Sequence, residues 1–278
     1  MNTIEIAPER LHPETIADFA ILDLAQKDEG LLLGWLYRHF ENSEIPWEPL
    51  YQGTVLADLW KKGPILIELK RSPAFRDALI ERYRSEHLGM VIHAPAIDLG
   101  QLANHLRSLV TIQREDKPAV FRFYDPRSLA PLFEVLDPVQ RKALLGPASG
   151  WAWHRYGQWQ IASSDYQRET PGKDELFTIS EAQIAQLDKA RLRQFSLFLA
   201  DEYRAHIPSN DPDQFVLGEI ESAQGAGISS HADQERWLRM AITLRGRLQE
   251  SPLWSRLIRV HGKTPLQALS QLETEQGC

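Results

Sequence analysis

The sequence of 278 residues has almost no cysteine and no long hydrophobic run. Its one cysteine, Cys278, is the last residue, which excludes an internal disulfide framework and is typical of a reducing compartment. No apolar run approaches the roughly 20 residues that a membrane-spanning helix needs, and the polar N-terminal segment lacks the pattern of a signal peptide. We therefore expect a cytoplasmic protein that does not insert into a membrane.

An excess of positive charge is also absent. The chain carries 31 lysines and arginines against 38 aspartates and glutamates, a net charge of −7, whereas a nucleic-acid-binding domain presents a basic patch or stripe. The nine histidines form no His-x-x-x-His pair that could bind zinc. The glycine–lysine loop of phosphate-binding proteins and the Gly-x-Ser-x-Gly turn of hydrolases are both missing. The sequence predicts no nucleic-acid partner, no metal and no cofactor.

The most informative stretch is Ala-Val-Phe-Arg-Phe-Tyr-Asp-Pro-Arg, residues 119–127. Its aromatic and β-branched residues predict a buried strand over residues 119–124. Asp125 in the N-cap position and Pro126 in the first helical position then predict a helix. Arg122, Asp125 and Arg127 would lie where that strand ends, a place where α/β sheets often bind ligands.

Two interpretations of these three residues remain open. In the structural one, which we favour, Asp125 caps the helix, Arg122 pairs with a carboxylate of the sheet and Arg127 is solvated. In the enzymatic one, a hydrolase or nucleotide-binding site lies at the end of the 119–124 strand, and the carboxylates of Asp23, Glu68 and Asp125 converge there. The neighbouring arginines offer those carboxylates simpler neutralising partners, which disfavours catalysis.

The chain as a whole predicts two lobes. Strands and helices alternate up to residue 163, which indicates an α/β lobe, a mixed sheet with flanking helices, over residues 1–163. Residues 163–175 form a polar linker. Strands then disappear, and residues 176–278 predict an all-α lobe whose first helix opens with the capping box Ser180-Glu-Ala-Gln183.

The first helix of the all-α lobe has charged residues next to its apolar stripe. Arg191 and Glu202 project close to the stripe that contains Phe195 and Phe198. We favour a snorkelling side chain and a local salt bridge as the explanation. The alternative is that this face binds a partner, with the two charges at its rim.

Several short motifs follow one another along the first lobe. They are Ala20-Ile-Leu-Asp23, Leu50-Tyr-Gln-Gly53, Gly63-Pro64 with Leu66 to Leu69, Gly89, His105-Leu-Arg107, Gly146-Pro147 and Trp151. With Phe121-Arg-Phe-Tyr-Asp-Pro-Arg127 at their centre, residues 19–153 resemble the effector-adaptor (Tap/Tec) chaperones of the bacterial type VI secretion system. The helical region after residue 175 is similar to the C-terminal extensions of such proteins.

The resemblance implies a non-catalytic adaptor, or chaperone, in the cytoplasm of a Gram-negative bacterium. Such a protein binds one secreted effector and helps to load it onto the VgrG spike protein, and no catalytic residue, metal or cofactor is implied. We therefore expect the partners to be an effector and VgrG. The candidate partner-binding residues are Arg122, Asp125, Arg127, Arg191, Phe195, Phe198 and Glu202. Because its helices carry wide aromatic stripes, we expect the helical lobe, residues 176–278, to carry the effector-binding surface.

Overall fold

The computed structural model describes residues 17–28, 30–40, 44–114, 117–163 and 177–276. The chain forms two compact units that divide between Leu187 and Asp188. Residues 164–175 of the predicted linker lie outside the described residues, so the predicted lobe limits at residues 163 and 176 stay a prediction. No described helix combines the length and the apolar character required to span a bilayer.

The first unit is built on a six-stranded sheet with the strand order β2-β3-β1-β4-β7-β8, and each of these pairings is antiparallel. Its strands are β1 Phe19–Asp23, β2 Trp47–Pro49, β3 Pro64–Glu68, β4 Gly89–His93, β7 Gly150–Arg155 and β8 Gln158–Ser163. A separate two-stranded sheet consists of β5 Thr111–Arg114 and β6 Lys117–Val120. The helices are α1 Leu31–Phe40, α2 Pro73–Ser85, α3 Leu99–Leu109, α4 Pro126–Val135 and α5 Pro138–Leu145, with 3-10 turns at Leu24–Gln26 and Ala57–Lys62.

Helices cover both faces of the six-stranded sheet. Successive residues of a strand point to opposite faces, and Ile21 and Ile92 accordingly pack with the apolar residues of α3, α4 and α5. On the other face, Leu22 and Val91 pack with those of α1 and α2. The central strands are therefore buried on both sides, which explains why they read as continuous apolar runs.

The strand predicted over residues 119–124 is present only at residues 119 and 120. Strand β6 ends at Val120 and pairs with β5, outside the main sheet, while Phe121 to Asp125 form no strand. The aromatic residues are nevertheless buried: Phe123 and Tyr124 are each 1% exposed, and the Phe123 ring lies 5.8 Å from that of Trp151 in β7. The segment packs against a sheet face without joining the sheet, so aromatic content alone misled the prediction.

The described residues of the second unit form helices joined by turns and no strand, and the unit begins within α6 Glu181–Glu202. Ser180 and Gln183 exchange the two hydrogen bonds of the predicted capping box. The following elements are α7 Pro212–Gly225, α8 His231–Thr243, a 3-10 turn Leu248–Glu250, α9 Pro252–Ser255 continued by a π-helical segment Arg256–Val260, and α10 Pro265–Gln276. The predicted fold class, an α/β lobe followed by a helical one, is confirmed.

Candidate functional site

The helix start predicted at Asp125 is present. The Asp125 Oδ1 atom accepts the backbone N–H of Arg127 at 3.0 Å, and α4 begins with Pro126. The Arg127 guanidinium also binds this carboxylate through Nε (2.9 Å) and Nη2 (2.8 Å). Burial alone would raise the pKa of Asp125, but the hydrogen bonds and the charge of Arg127 outweigh it and lower that pKa. Asp125 is therefore an ionised cap.

Arg122 pairs with a carboxylate of the main sheet, as the structural interpretation predicted. Its guanidinium binds Asp23, the last residue of β1, which is 1% exposed. The Asp23 carboxylate also accepts the backbone N–H of Ala25 (3.1 Å) and the side-chain amide of Gln26 (2.6 Å). Burial would lower the pKa of Arg122, but the charge of Asp23 outweighs it and raises that pKa. The ion pair thus ties the segment after β6 to the end of β1.

The three carboxylates of the enzymatic interpretation do not converge. In the register of β1 and β3, Asp23 lies opposite Pro64, whereas Glu68 lies opposite Phe19. Glu68 is therefore at the other end of these strands, where it pairs with Arg71 at 3.6 Å. Asp23 and Asp125 each have an arginine partner of their own. Within the described residues, no group of three or more metal-ligating side chains lies close enough to hold a metal ion.

Residues from separate motifs of the first lobe meet around this corner. The Tyr51 and Tyr124 hydroxyl groups are 3.0 Å apart and buried, and the Arg122 guanidinium lies 5.8 Å from the centre of the Tyr124 ring. A Cβ atom at Gly63 would collide with the Tyr51 ring. The Leu-Tyr-Gln-Gly turn, the Gly63-Pro64 step and the central motif are therefore parts of one packed arrangement.

A second pair of motifs meets away from the corner. The His105 Nε2 atom lies 3.1 Å from the carbonyl oxygen of Leu144, and the His105 ring fills the space where a side chain at Gly146 would lie. Gly146 has φ +56°, a conformation that favours glycine. Most of the motif residues thus have a structural task, which is to hold distant parts of the first unit together.

Two residues that the sequence did not single out extend the corner. Arg155 ends β7 and is 8% exposed, and its Nη1 atom lies 2.6 Å from Nε2 of His87. Burial and the positive charges of Arg155 and Arg127 lower the pKa of His87 to about 4. His87 is therefore neutral at pH 7 and accepts the Arg155 hydrogen bond. His87 and Arg155 come together through the register between β4 and β7, so their spacing in the sequence does not indicate this contact.

The four predicted residues of α6 lie in the second unit. Arg191 forms an ion pair with Asp188 at 3.3 Å, as the favoured interpretation predicted. Phe195 is 5% exposed and stacks on His231, with the ring centres 4.0 Å apart. Phe198 is half-buried and packs against the same apolar cluster, while Glu202 is exposed. This stripe of α6 therefore contributes to the core of the second unit, and a partner-binding role for its residues stays a prediction.

Residues 19–143 match the family described as "Domain of unknown function (DUF4123)". The match covers slightly less than half of the chain; it includes β1, the Phe121–Arg127 motif, α4 and most of α5, and it ends before Arg155. This family is associated with type VI secretion effector adaptors. No curated protein and no solved structure shows significant similarity to the chain.

Proposed function

We propose that this protein is a non-catalytic adaptor, or chaperone, of the bacterial type VI secretion system. It binds one effector protein in the cytoplasm and helps to load that effector onto the VgrG spike protein. The observation that carries the proposal is the family match over residues 19–143, which contains the whole Phe121–Arg127 motif. Nucleic acid, a metal and a cofactor have no part in this function.

The chemistry of the corner supports binding rather than catalysis. A catalytic acid or base needs a pKa near the working pH, whereas Arg127 lowers the pKa of Asp125 below its usual range. The Asp23 carboxylate is occupied by two side chains and one backbone N–H. In contrast, the side chains of Arg122 and Arg127 are 43% and 42% exposed. The corner therefore presents cationic donors to the solvent on a rigid support, an arrangement suited to recognition of a protein surface.

We place the effector-binding surface at this corner in the first unit. The apolar stripe of α6, the other candidate, includes Phe195, which is buried in the second unit's own core. A side chain buried in this way contributes to the stability of the fold, and little of it is accessible to a partner. Arg122, Asp125 and Arg127 are thus the stronger partner-binding candidates, with Asp125 acting through the orientation of Arg127.

A secretion assay in the native host tests the proposal. Deleting the gene for this protein should abolish secretion of the one effector that depends on it, while a second effector of the same bacterium continues to be secreted. The intact chain, returned on a plasmid, should restore secretion and should co-purify with that effector. Unchanged secretion of every effector after the deletion would contradict the proposal.

A further inference from the structure

The corner carries more positive than negative charge. Three arginines, Arg122, Arg127 and Arg155, lie with two aspartates, Asp23 and Asp125, at the end of the sheet where β1 and β7 finish. A further acid of the first unit, Glu86, is already neutralised by Lys27 (2.7 Å) and Arg82 (2.8 Å). In a chain of net charge −7, this end of the first unit is therefore a local cationic site.

Arg155 is the source of the surplus charge. It is 8% exposed, and within the described residues it makes no ion pair with a carboxylate. Its guanidinium has His87 Nε2 as acceptor at 2.6 Å and the Tyr156 ring at 4.3 Å, while its buried Nε atom has no hydrogen-bond partner there. A buried charge without an opposite charge is costly, and an anion bound nearby would offset that cost.

His87 adds no charge of its own and cannot balance that of Arg155. Its imidazole is held neutral by burial and by the charges of Arg155 and Arg127. The buried Nδ1 atom of the same ring also lacks a partner among the described residues. His87 therefore leaves the positive charge of Arg155 without a counter-charge.

Arg122 and Arg127 provide the accessible donors. Arg122 uses Nη2 for Asp23, and Arg127 uses Nε and Nη2 for Asp125. Each guanidinium carries five N–H donors, so both arginines keep N–H groups for a further acceptor on their exposed sides. Because the aspartates fix the two guanidinium groups, an incoming oxyanion meets oriented donors and loses less free energy to side-chain ordering.

We propose that this cluster binds a carboxylate of an acidic segment in the partner protein. The inference rests on the proposed function, since it names the chemistry by which the effector is recognised. The surplus of positive charge attracts a carboxylate, and oriented guanidinium groups suit its two oxygens. A nucleic-acid backbone is a poor fit, because the overall negative charge of the chain repels a long polyanion.

Calorimetric titrations of the full chain test the proposal with three probes. These are an N-acetylated, C-amidated tetraglutamate peptide, the matching tetraglutamine peptide and inorganic phosphate. The acidic peptide should bind, more weakly as sodium chloride is raised, and the glutamine peptide should not. Equal binding of both peptides would overturn the proposal. Phosphate that binds as tightly as the acidic peptide would also overturn it, because the site would then accept any small oxyanion.

Substitutions locate the site. Arg155→Gln removes the surplus charge and should weaken peptide binding about fivefold, whereas Arg155→Lys should keep most of it. Arg71→Gln removes an exposed arginine at the other end of the sheet, and binding should stay within about twofold. Equal affinity of Arg155→Gln and the unaltered chain would overturn the proposal. If Arg155→Gln does not fold, Arg127→Lys is titrated with the two peptides instead. It should bind the acidic peptide more weakly, because lysine keeps the charge but loses the two-point geometry.

A titration with the effector separates this inference from the proposed function. If the effector binds the full chain and Arg155→Gln leaves its affinity unchanged, the carboxylate site is wrong while the adaptor function stands. If the acidic peptide binds and no effector does, the adaptor function is wrong. Loss of effector affinity in Arg155→Gln, with Arg71→Gln unaffected, supports both.

Discussion

The buried carboxylate of Asp23 in the first unit is held by the guanidinium of Arg122, 99 residues away in sequence. The buried carboxylate of Glu219 in the second unit is held by two neutral donors, the indole N–H of Trp237 at 2.9 Å and the backbone N–H of Leu248 at 3.3 Å. Burial raises the pKa of Glu219. At these two buried carboxylates, the first unit thus uses an ion pair to join distant segments, while the second uses neutral hydrogen-bond donors.

The difference bears on function. Ion pairs leave the outer sides of arginines exposed, as at Arg122 and Arg127, so the same groups that hold the first unit together can also bind a partner. A carboxyl group enclosed by helices, like Glu219 at 0% exposure, is out of reach of a partner. The comparison explains why we assign recognition to the first unit.

The largest expected effect is at Gly89, the first residue of β4, which lies beside the backbone of β1. A Cβ atom there would collide with the carbonyl oxygen of Ile21, which is backbone and cannot move aside. We expect Gly89→Ala to destabilise the first unit by about 4 kcal/mol or more. Gly225→Ala in the second unit is the control, since nothing lies within 4 Å of its added methyl group. Chemical denaturation measures both; an unaffected Gly89→Ala variant would contradict the packing described.

The next effect compares the two buried carboxylates directly. Asp23→Asn leaves Arg122 without its counter-charge and should cost about 2 kcal/mol, less than for a fully buried pair because Arg122 is partly solvated. Glu219→Gln keeps an acceptor for Trp237 and should cost less than about 1 kcal/mol. Urea unfolding at pH 7 measures both. Equal costs for the two variants would remove the distinction between the units.

The helix cap at Asp125 should contribute somewhat less. Asp125→Ala should destabilise the protein by about 1 to 2 kcal/mol, because it removes the cap and releases Arg127. Asp137→Ala removes the cap of α5 and should cost about 0.5 to 1 kcal/mol, because Asp137 has no arginine partner among the described residues. Thermal unfolding measures the difference. A variant Asp125→Ala with unchanged melting temperature and abolished effector binding would show that Asp125 contacts the effector directly.

Acidification should affect the two units in opposite directions. The pKa of His87 is about 4 in the folded protein and about 6.5 when unfolded, so the unfolded chain binds more protons between these values. The stabilisation is complete above pH 6.5 and is lost as the pH falls towards 4, by about 1 to 2 kcal/mol after allowance for solvent screening. The raised pKa of Glu219 has the opposite effect on the second unit, because acid relieves the burial of its charge.

Calorimetric melts at pH 7 and pH 4.5 check this contrast. We expect the transition of the first unit to move to lower temperature in acid, and His87→Gln, which keeps an acceptor for Arg155, to reduce the shift. A shift of the same size in His87→Gln would assign the acid sensitivity to other groups.

The sequence predicted those features that depend on neighbouring residues. Helix starts followed from the cap Asp125 and from the capping box of Ser180 and Gln183, whose side chains accept backbone N–H groups as expected. The strand predicted over residues 119–124 failed beyond Val120 because buried aromatic residues look alike in a strand and in a segment packed on a sheet, such as that of Phe123.

Only part of the candidate site could be predicted from the sequence. Arg122 and Asp125 stand out in a distinctive motif, and pairing of Arg122 with a carboxylate could be anticipated. The contact of His87 with Arg155 depends on the register between β4 and β7, which no local pattern encodes. The sequence also did not show that Phe195 is buried, because an apolar stripe on a helix does not reveal what covers it.

Hydrogen exchange of the full chain, alone and with its effector, tests the central claim most directly. The account predicts slower exchange of backbone amides at residues 121–127 and 154–156 in the complex, with residues 188–276 unchanged. The amides of Asp23 and its neighbours should also slow, because Arg122 links them to the corner. Protection confined to residues 188–276 would contradict the account, since it would place the effector on the helical unit.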